Sequence, residues 1–435
     1  MIAQNQMVIY FKFLIMRIIL FFLIGLYVNV SIAQSPLATH YNEAKLAYEK
    51  QDYEGYLLHT QKADSISPNH PTITYNLSSA YALTGNTELS LSVLKKAVLM
   101  NIRLFPTDDA DFDKVKKLPE FNEIRKLKNS LLKTVSKSKV AFITAEKDLH
   151  PESIIYDPDT KSFLISSVHK NKIVSYNTQT EKTTDWKKSN EDGLWAVMGM
   201  RRDSKKKVLW VCTVATKEMM NYKEELEGKT ALLKYDLKTK KLLKRYDLEG
   251  GHWFGDLVLD NAGTPFISDS MKPIIYTIED EKLVIFKDFT GTLFNLQGLA
   301  FDTDQNKLFI ADYKVGLFTY DLGSSNLMKM TYPDHITTKG IDGLYQYHGK
   351  LIAIHNGVKP FRICEYTLDN TTSKITDVNY IDRGRSELGE PTLGVIARGT
   401  LYYIANSPWG KYDREGNMKE EELTENIVLK YELND

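Results

Sequence analysis

Glu152, Gln297 and Asp342 stand at matching points of a recurring phrase: ESIIYDPDTKSFLIS, QGLAFDTDQNKLFIADY and DGLYQYHGKLIAIHN. Two carboxylates and an amide brought to one level make an oxygen-rich site. Hard divalent cations such as Ca2+ take carboxylate and amide oxygens and complete their shell with water. Soft metals want Cys or clustered His, and these positions carry neither. Whether this chemistry exists depends on a fold that brings three distant points together.

The phrase itself supplies that fold. Each copy is a short apolar run, a turn rich in Asp, Asn or Gly, and a second run that alternates, which is the pattern of an antiparallel hairpin. GDLVLDNAGTPFISDS, from Gly255, is a further copy. Aligned on the start of the first strand, six blocks begin at Glu152, Met198, Gly255, Gln297, Asp342 and Thr392, spaced 46, 57, 42, 45 and 50 residues apart. A third strand follows in several of them: KIVSYN (172–177), ALLKYDL (231–237), GLFTYDL (316–322) and RICEYTL (362–368). A hairpin cannot bury its apolar face alone, so repetition at this spacing predicts a mainly β protein, a six-bladed β-propeller over 139–435. TKEMMNYKEELEGK (216–229) lies in the longest spacing and reads as an insertion on blade two. KVAFITA (139–145) is the expected partner of the closing strand NIVLKYEL, joining the chain ends in one blade and removing exposed edges. The six anchors then begin innermost strands and face the axis at one end. Glu152, Gln297 and Asp342 meet there as metal ligands, or as a hydrogen-bonded ring without metal. His252 and Trp253 precede blade three and Glu390 precedes blade six, so they wall the same mouth.

The blocks HPES, QGLAFD and IDGL resemble the SMP-30/gluconolactonase/LRE-like propellers, over roughly residues 140–435. The resemblance implies that a Glu of the first blade, an Asn before Gly in the fourth and an Asp before Gly in the fifth hold a divalent metal. Glu152 and Asp342 match in type and context. Gln297 stands before Gly298 where the family usually has Asn, keeping the amide oxygen on a side chain one methylene longer. The family often carries Asn-Asp in blade three, where this chain has Gly255-Asp256, so Asp256 is the substrate-contacting residue that remains. The activity implied is hydrolysis of a lactone or related ester, with Asp342 positioning or deprotonating the attacking water beside the cation. The alternative is a non-catalytic sensor or interaction module, since propellers serve many unrelated functions.

Residues 38–135 are helical in pattern. YNEAKLAYEKQDYEGYLLHTQKADSISPN aligns with YNLSSAYALTGNTELSLSVLKKAVLMN at an offset of 34, bringing Ala63 onto Ala97. With Ala44, Pro68, Tyr81 and Gly85 this resembles tetratricopeptide repeats, and DDADFDKVKKLPEFNEIRKL resembles their closing helix. Packing onto the propeller is the expected use of so few repeats, and a groove for a protein partner is the functional alternative. Before it, Arg17 and the run IILFFLIGLYVNV end at Ser31-Ile32-Ala33, the layout of a secretory signal peptide over 1–33. The protein is therefore expected to be exported, periplasmic or extracellular. A retained membrane anchor is the competing reading, and the run is short for the ~20 residues of a span. Lys+Arg and Asp+Glu are equal at 56 each, which gives no charge argument for nucleic acid. Cys212 and Cys364 sit in strand-like runs of distant blades, so two buried free thiols are expected rather than a disulfide.

Overall fold

A computed structural model of the chain describes residues 35–434. The expected signal segment lies outside the described residues, among which no helix is long and apolar enough to cross a membrane. The chain forms two compact units, one ending at Ile66 and the other running from Ser67.

In the first unit, α1 (Pro36–Glu49) and α2 (Tyr53–Ile66) form a hairpin. The Ser35 hydroxyl caps α1 by accepting from Ala38 N at 3.3 Å, and Pro36 opens the helix where no N–H is needed. Ala44 and Ala63 are buried, small residues that let two helices approach closely.

The second unit begins with α3 (Pro71–Leu83), α4 (Thr87–Met100) and α5 (Pro119–Leu132). α4 starts 34 residues after α2, and Ala97 is fully buried as the aligned Ala63 is. These helices share an apolar core around Leu94, Phe112 and Phe121. Two of them, α4 and α5, are tied to blade five through their C-terminal carbonyls, which a helix cannot satisfy internally. The Arg362 guanidinium, 1% exposed, donates to Leu99 O at 3.1 Å. Arg383 donates to Ser130 O at 2.9 Å and Lys133 O at 3.1 Å. A cation at a helix C-terminus also complements the helix dipole. Packing of these three helices on the propeller is thus built into one unit.

Six antiparallel sheets follow, the first four in chain order from the axis outward. Their first strands are Ile154–Asp157, Ala196–Asp203, Phe254–Leu259, Leu296–Phe301, Ile341–Tyr347 and Gly394–Ala397. First strands of neighbouring blades pack on one another around the ring, and blade five meets blade six where Gly394 N donates to Tyr345 Oη at 2.6 Å. Each of the six blade interfaces has its own apolar core. The ring closes as the sequence predicts: Lys139–Thr144 pairs with Asn426–Glu432 as the outer strand of blade six. One addition was not foreseen. Val135–Ser136 pairs with Ile375–Arg383 and gives blade five a short fifth strand. The insertion on blade two is a loop carrying one 3-10 turn, Glu224–Leu226. Cys212 and Cys364 are free and buried.

Candidate functional site

The innermost strands of blades two to five carry a β-bulge at the same level. The register breaks between Val197 and Met200, Phe254 and Asp256, Leu296 and Leu299, and Ile341 and Gly343. A bulge interrupts the alternation of side chains and re-aims the extra residue. The residues so released are Met198, Gly255, Gln297 and Asp342. All four line one cavity of about 280 Å³, together with Glu152 and Glu390 from the ends of the ring. The glycines beside the bulges are required by closeness rather than by φ. A Cβ on Gly298 would stand 2.6 Å from Leu344 N and 2.7 Å from Asp342 O, and one on Gly199 would stand 2.8 Å from Gly255 O.

Glu152, two residues ahead of its strand, is fixed at both ends. Its carbonyl accepts from Thr392 Oγ1 at 2.9 Å and Leu393 N at 3.0 Å, and its Oε2 accepts from Trp409 Nε1 at 2.8 Å. Thr392 is therefore a buried brace of the site, and blade six contributes Glu390 to the cavity instead. Asp342 Oδ2 accepts from Asn356 Nδ2 at 2.8 Å, and Asn356 Oδ1 accepts from Tyr313 Oη at 2.9 Å. Gln297 Nε2 donates to Asn295 Oδ1 at 2.9 Å. Its Oε1 is left toward blade three, 3.5 Å from where a Cβ on Gly255 would stand. The longer Gln thus uses space that a side chain at position 255 would take.

Burial governs the charges. Desolvation pushes Glu152 well above the usual carboxylate range, Asp342 adds to this by repulsion, and the Trp409 bond opposes it. Asp342 is raised by burial and then by the nearby charges of Asp256 and Glu390, with Asn356 opposing. Glu390 is raised by burial, with Lys359 opposing. Three carboxyl groups held at one mouth resist ionising together unless a cation joins them.

One expected wall residue, His252, and the expected substrate-contacting Asp256 do not line the cavity. His252 Nδ1 is 2.5 Å from Asp269 Oδ2 and its Nε2 is 3.1 Å from Lys272 Nζ, so the ring is engaged by blade three itself while its neighbour Trp253 reaches the cavity. Asp256 is buried in an ion pair with Arg201 at 3.0 Å, and the guanidinium lies over the Tyr345 ring. It acts on the mouth through its charge and does not line it. Sequence reasoning also missed Asn295, Tyr313, Asn356 and Trp409. Trp409 comes from the long loop after Ile404 in blade six, and such length is the signal that could have found it. Behind it, the buried His150 ring packs edge-on at 4.5 Å, with Nδ1 2.7 Å from Tyr412 Oη.

No protein-family model matches the chain, and no curated protein matches it. Solved structures similar to it include a luciferin-regenerating enzyme, at 14% identity over 67% of this chain and 94% of that one, TM-score 0.46. Others are an aldose sugar dehydrogenase from Streptomyces coelicolor bound to PQQ (13% identity, 69% and 99% covered, TM-score 0.46) and a virginiamycin B lyase from Staphylococcus aureus (14%, 67% and 99%, TM-score 0.44). At these levels the likeness adds nothing to the propeller topology described above.

The donor set suits a hard cation. Among the described residues no group of three or more His, Cys, Asp or Glu side chains is gathered as a metal cluster. The mouth instead offers the carboxylates of Glu152 and Asp342 and the Gln297 amide oxygen, a mixture that calcium accepts.

Proposed function

We propose that the channel mouth holds a divalent cation, calcium best matching its oxygen donors, and hydrolyses a lactone or related ester in an exported protein. The supporting observation is the convergence of Glu152, Gln297 and Asp342 in one cavity whose carboxyl groups are pushed towards neutrality. A bound cation of this kind supplies Lewis acidity towards a carbonyl oxygen.

The chain's own residues do the rest. Trp409 holds Glu152 by Oε2. Asn356, itself held by Tyr313, fixes Asp342 by Oδ2 and leaves Oδ1 to orient a water molecule and accept its proton. A carboxylate whose proton affinity is raised by burial is a stronger general base than an exposed one. Glu390, on the blade-six side, is a second proton-holding group within the cavity.

One observation favours a second reading, binding without turnover. Position 255 is Gly and Asp256 is committed to Arg201, so blade three offers no polar side chain of its innermost strand to the cavity. In that reading the propeller senses a ligand and the helical repeats dock a protein. A panel of small lactones, assayed with purified protein in excess Ca2+ and again in EDTA, separates the two. The hydrolase reading expects cation-dependent turnover that drops by about two orders of magnitude or more in Asp342→Asn. Cation-dependent binding with no turnover of any lactone supports the sensor. Material from a secreting host should begin near Gln34.

A further inference from the structure

The cavity is divided by chemistry. Blades four and five supply Asp342 and the amides of Asn295, Gln297 and Asn356, and blades one and six add Glu152 and Glu390, while the apolar lining is Met198, Trp253, Met271 and Trp409, from blades two, three and six. The indoles of Trp253 and Trp409 lie 6.5 Å apart between ring centres, tilted by 44°. The one polar atom of the Trp409 ring is spent on Glu152. Met271 is 60% exposed, so this apolar surface continues from the cavity over the rim. At about 280 Å³ the open cavity has room for a compact head group, close to the lower end of the usual range of ligand cavities of about 300–1,000 Å³.

We infer that the ligand is an amphipathic lactone: a compact oxygen-bearing ring in the cavity and an apolar acyl or aryl arm laid across Trp253 and Met271. This rests on the reading of the polar arc as the reacting end. A polyhydroxylated sugar lactone fits worse, because hydroxyl groups facing the methionine and indole arc lose water without gaining partners. Thioether and indole surfaces are suited to an apolar arm whose exact shape varies, since methionine adapts to irregular contacts.

The test uses the unmodified full chain with Ca2+ and two non-hydrolysable lactams, one bare and one bearing a hexanoylamino arm. Binding is read by tryptophan fluorescence. The armed lactam is expected to bind at least about tenfold more tightly, the discrimination a few buried carbons give. Trp253→Ala should bring that ratio close to one, and Trp253→Phe should largely restore it. Equal affinity for the two lactams overturns the inference, as does a ratio that survives in Trp253→Ala. Its failure is separable from that of the hydrolase reading. A preference for the arm without turnover of any lactone leaves the ligand class standing and removes the hydrolysis. Turnover of bare and polyhydroxylated lactones with no preference for the arm does the reverse.

Discussion

Glu152 and Asp342 are only 5% and 8% exposed, and both are pushed up first by burial and then by neighbouring carboxylates, Asp342 in the case of Glu152 and Asp256 and Glu390 in the case of Asp342. The cation-free fold therefore carries a cost whenever the pH favours their ionised forms. A cation bound only by the folded ring stabilises it by mass action, about 2.7 kcal/mol at a hundred times its dissociation constant. With an unfolding entropy of roughly 2.1 cal/mol/K per residue over the roughly 370 residues of the second unit, that corresponds to about 3–4 °C in melting temperature. The assay is differential scanning calorimetry of the protein in EDTA and in a series of Ca2+ concentrations. The rise should be larger at pH 8 than at pH 5.5, because the ligands must give up protons before they bind. Glu152→Gln and Asp342→Asn should act in two directions at once. Each removes a buried ionisable group, so the cation-free protein should melt higher than the native one at pH 8, and each should abolish the Ca2+-induced rise. A cation effect that persists in both variants, or is absent in the native protein, refutes the metal site. Variants that simply melt lower in EDTA refute the electrostatic account of the mouth.

Three further outcomes follow from the same geometry. Removing residues 426–435 takes out the strand that lies between Lys139–Thr144 and the rest of blade six; the cooperative transition of the propeller should be lost, and an unchanged melting curve would contradict the closure. Gly298→Ala places a methyl group 2.6 Å from Leu344 N and 2.7 Å from Asp342 O; it should cost about 1–3 kcal/mol in urea unfolding and weaken Ca2+ binding, because the strand carrying Asp342 must move. Burial pushes His150 well below the ordinary imidazole value and His355 down to about 3, with repulsion from His169 and Arg362 respectively adding to it. Since the folded values lie below the unfolded one, stability is full above about pH 6.5 and is lost as the pH falls, the unfolded chain taking protons that the folded one refuses; imidazole nitrogen shifts should show both rings neutral at pH 5.5, and titration of either near 6.5 would contradict their burial.

Much of the molecule is legible in its sequence because the information is local. Period-2 alternation bounded by Asp, Asn and Gly marks each hairpin, and its recurrence marks the blade. That was enough to number the blades, to pair 139–145 with the end of the chain, and to align Glu152, Gln297 and Asp342 at one level. The Gly after Gln297 reads as a turn residue in the sequence; the fold shows it as the place where adjacent inner strands come too close for a Cβ. What only the tertiary structure decided is which neighbour of each anchor faces the mouth. His252 and Trp253 are adjacent, and one is held by Asp269 within the blade while the other reaches the cavity. Asp256 is captured by Arg201, 55 residues earlier in the chain. Glu152 is fixed by Trp409 from a loop 257 residues later. The apolar arc likewise takes residues from three different blades. These choices depend on partners set by packing within a blade for His252, between neighbouring blades for Asp256 and across the closed ring for Glu152, and a one-residue bulge is enough to turn a side chain from one face of the strand to the other. Local pattern therefore set the scaffold and the level of the site, and long-range packing selected its contents.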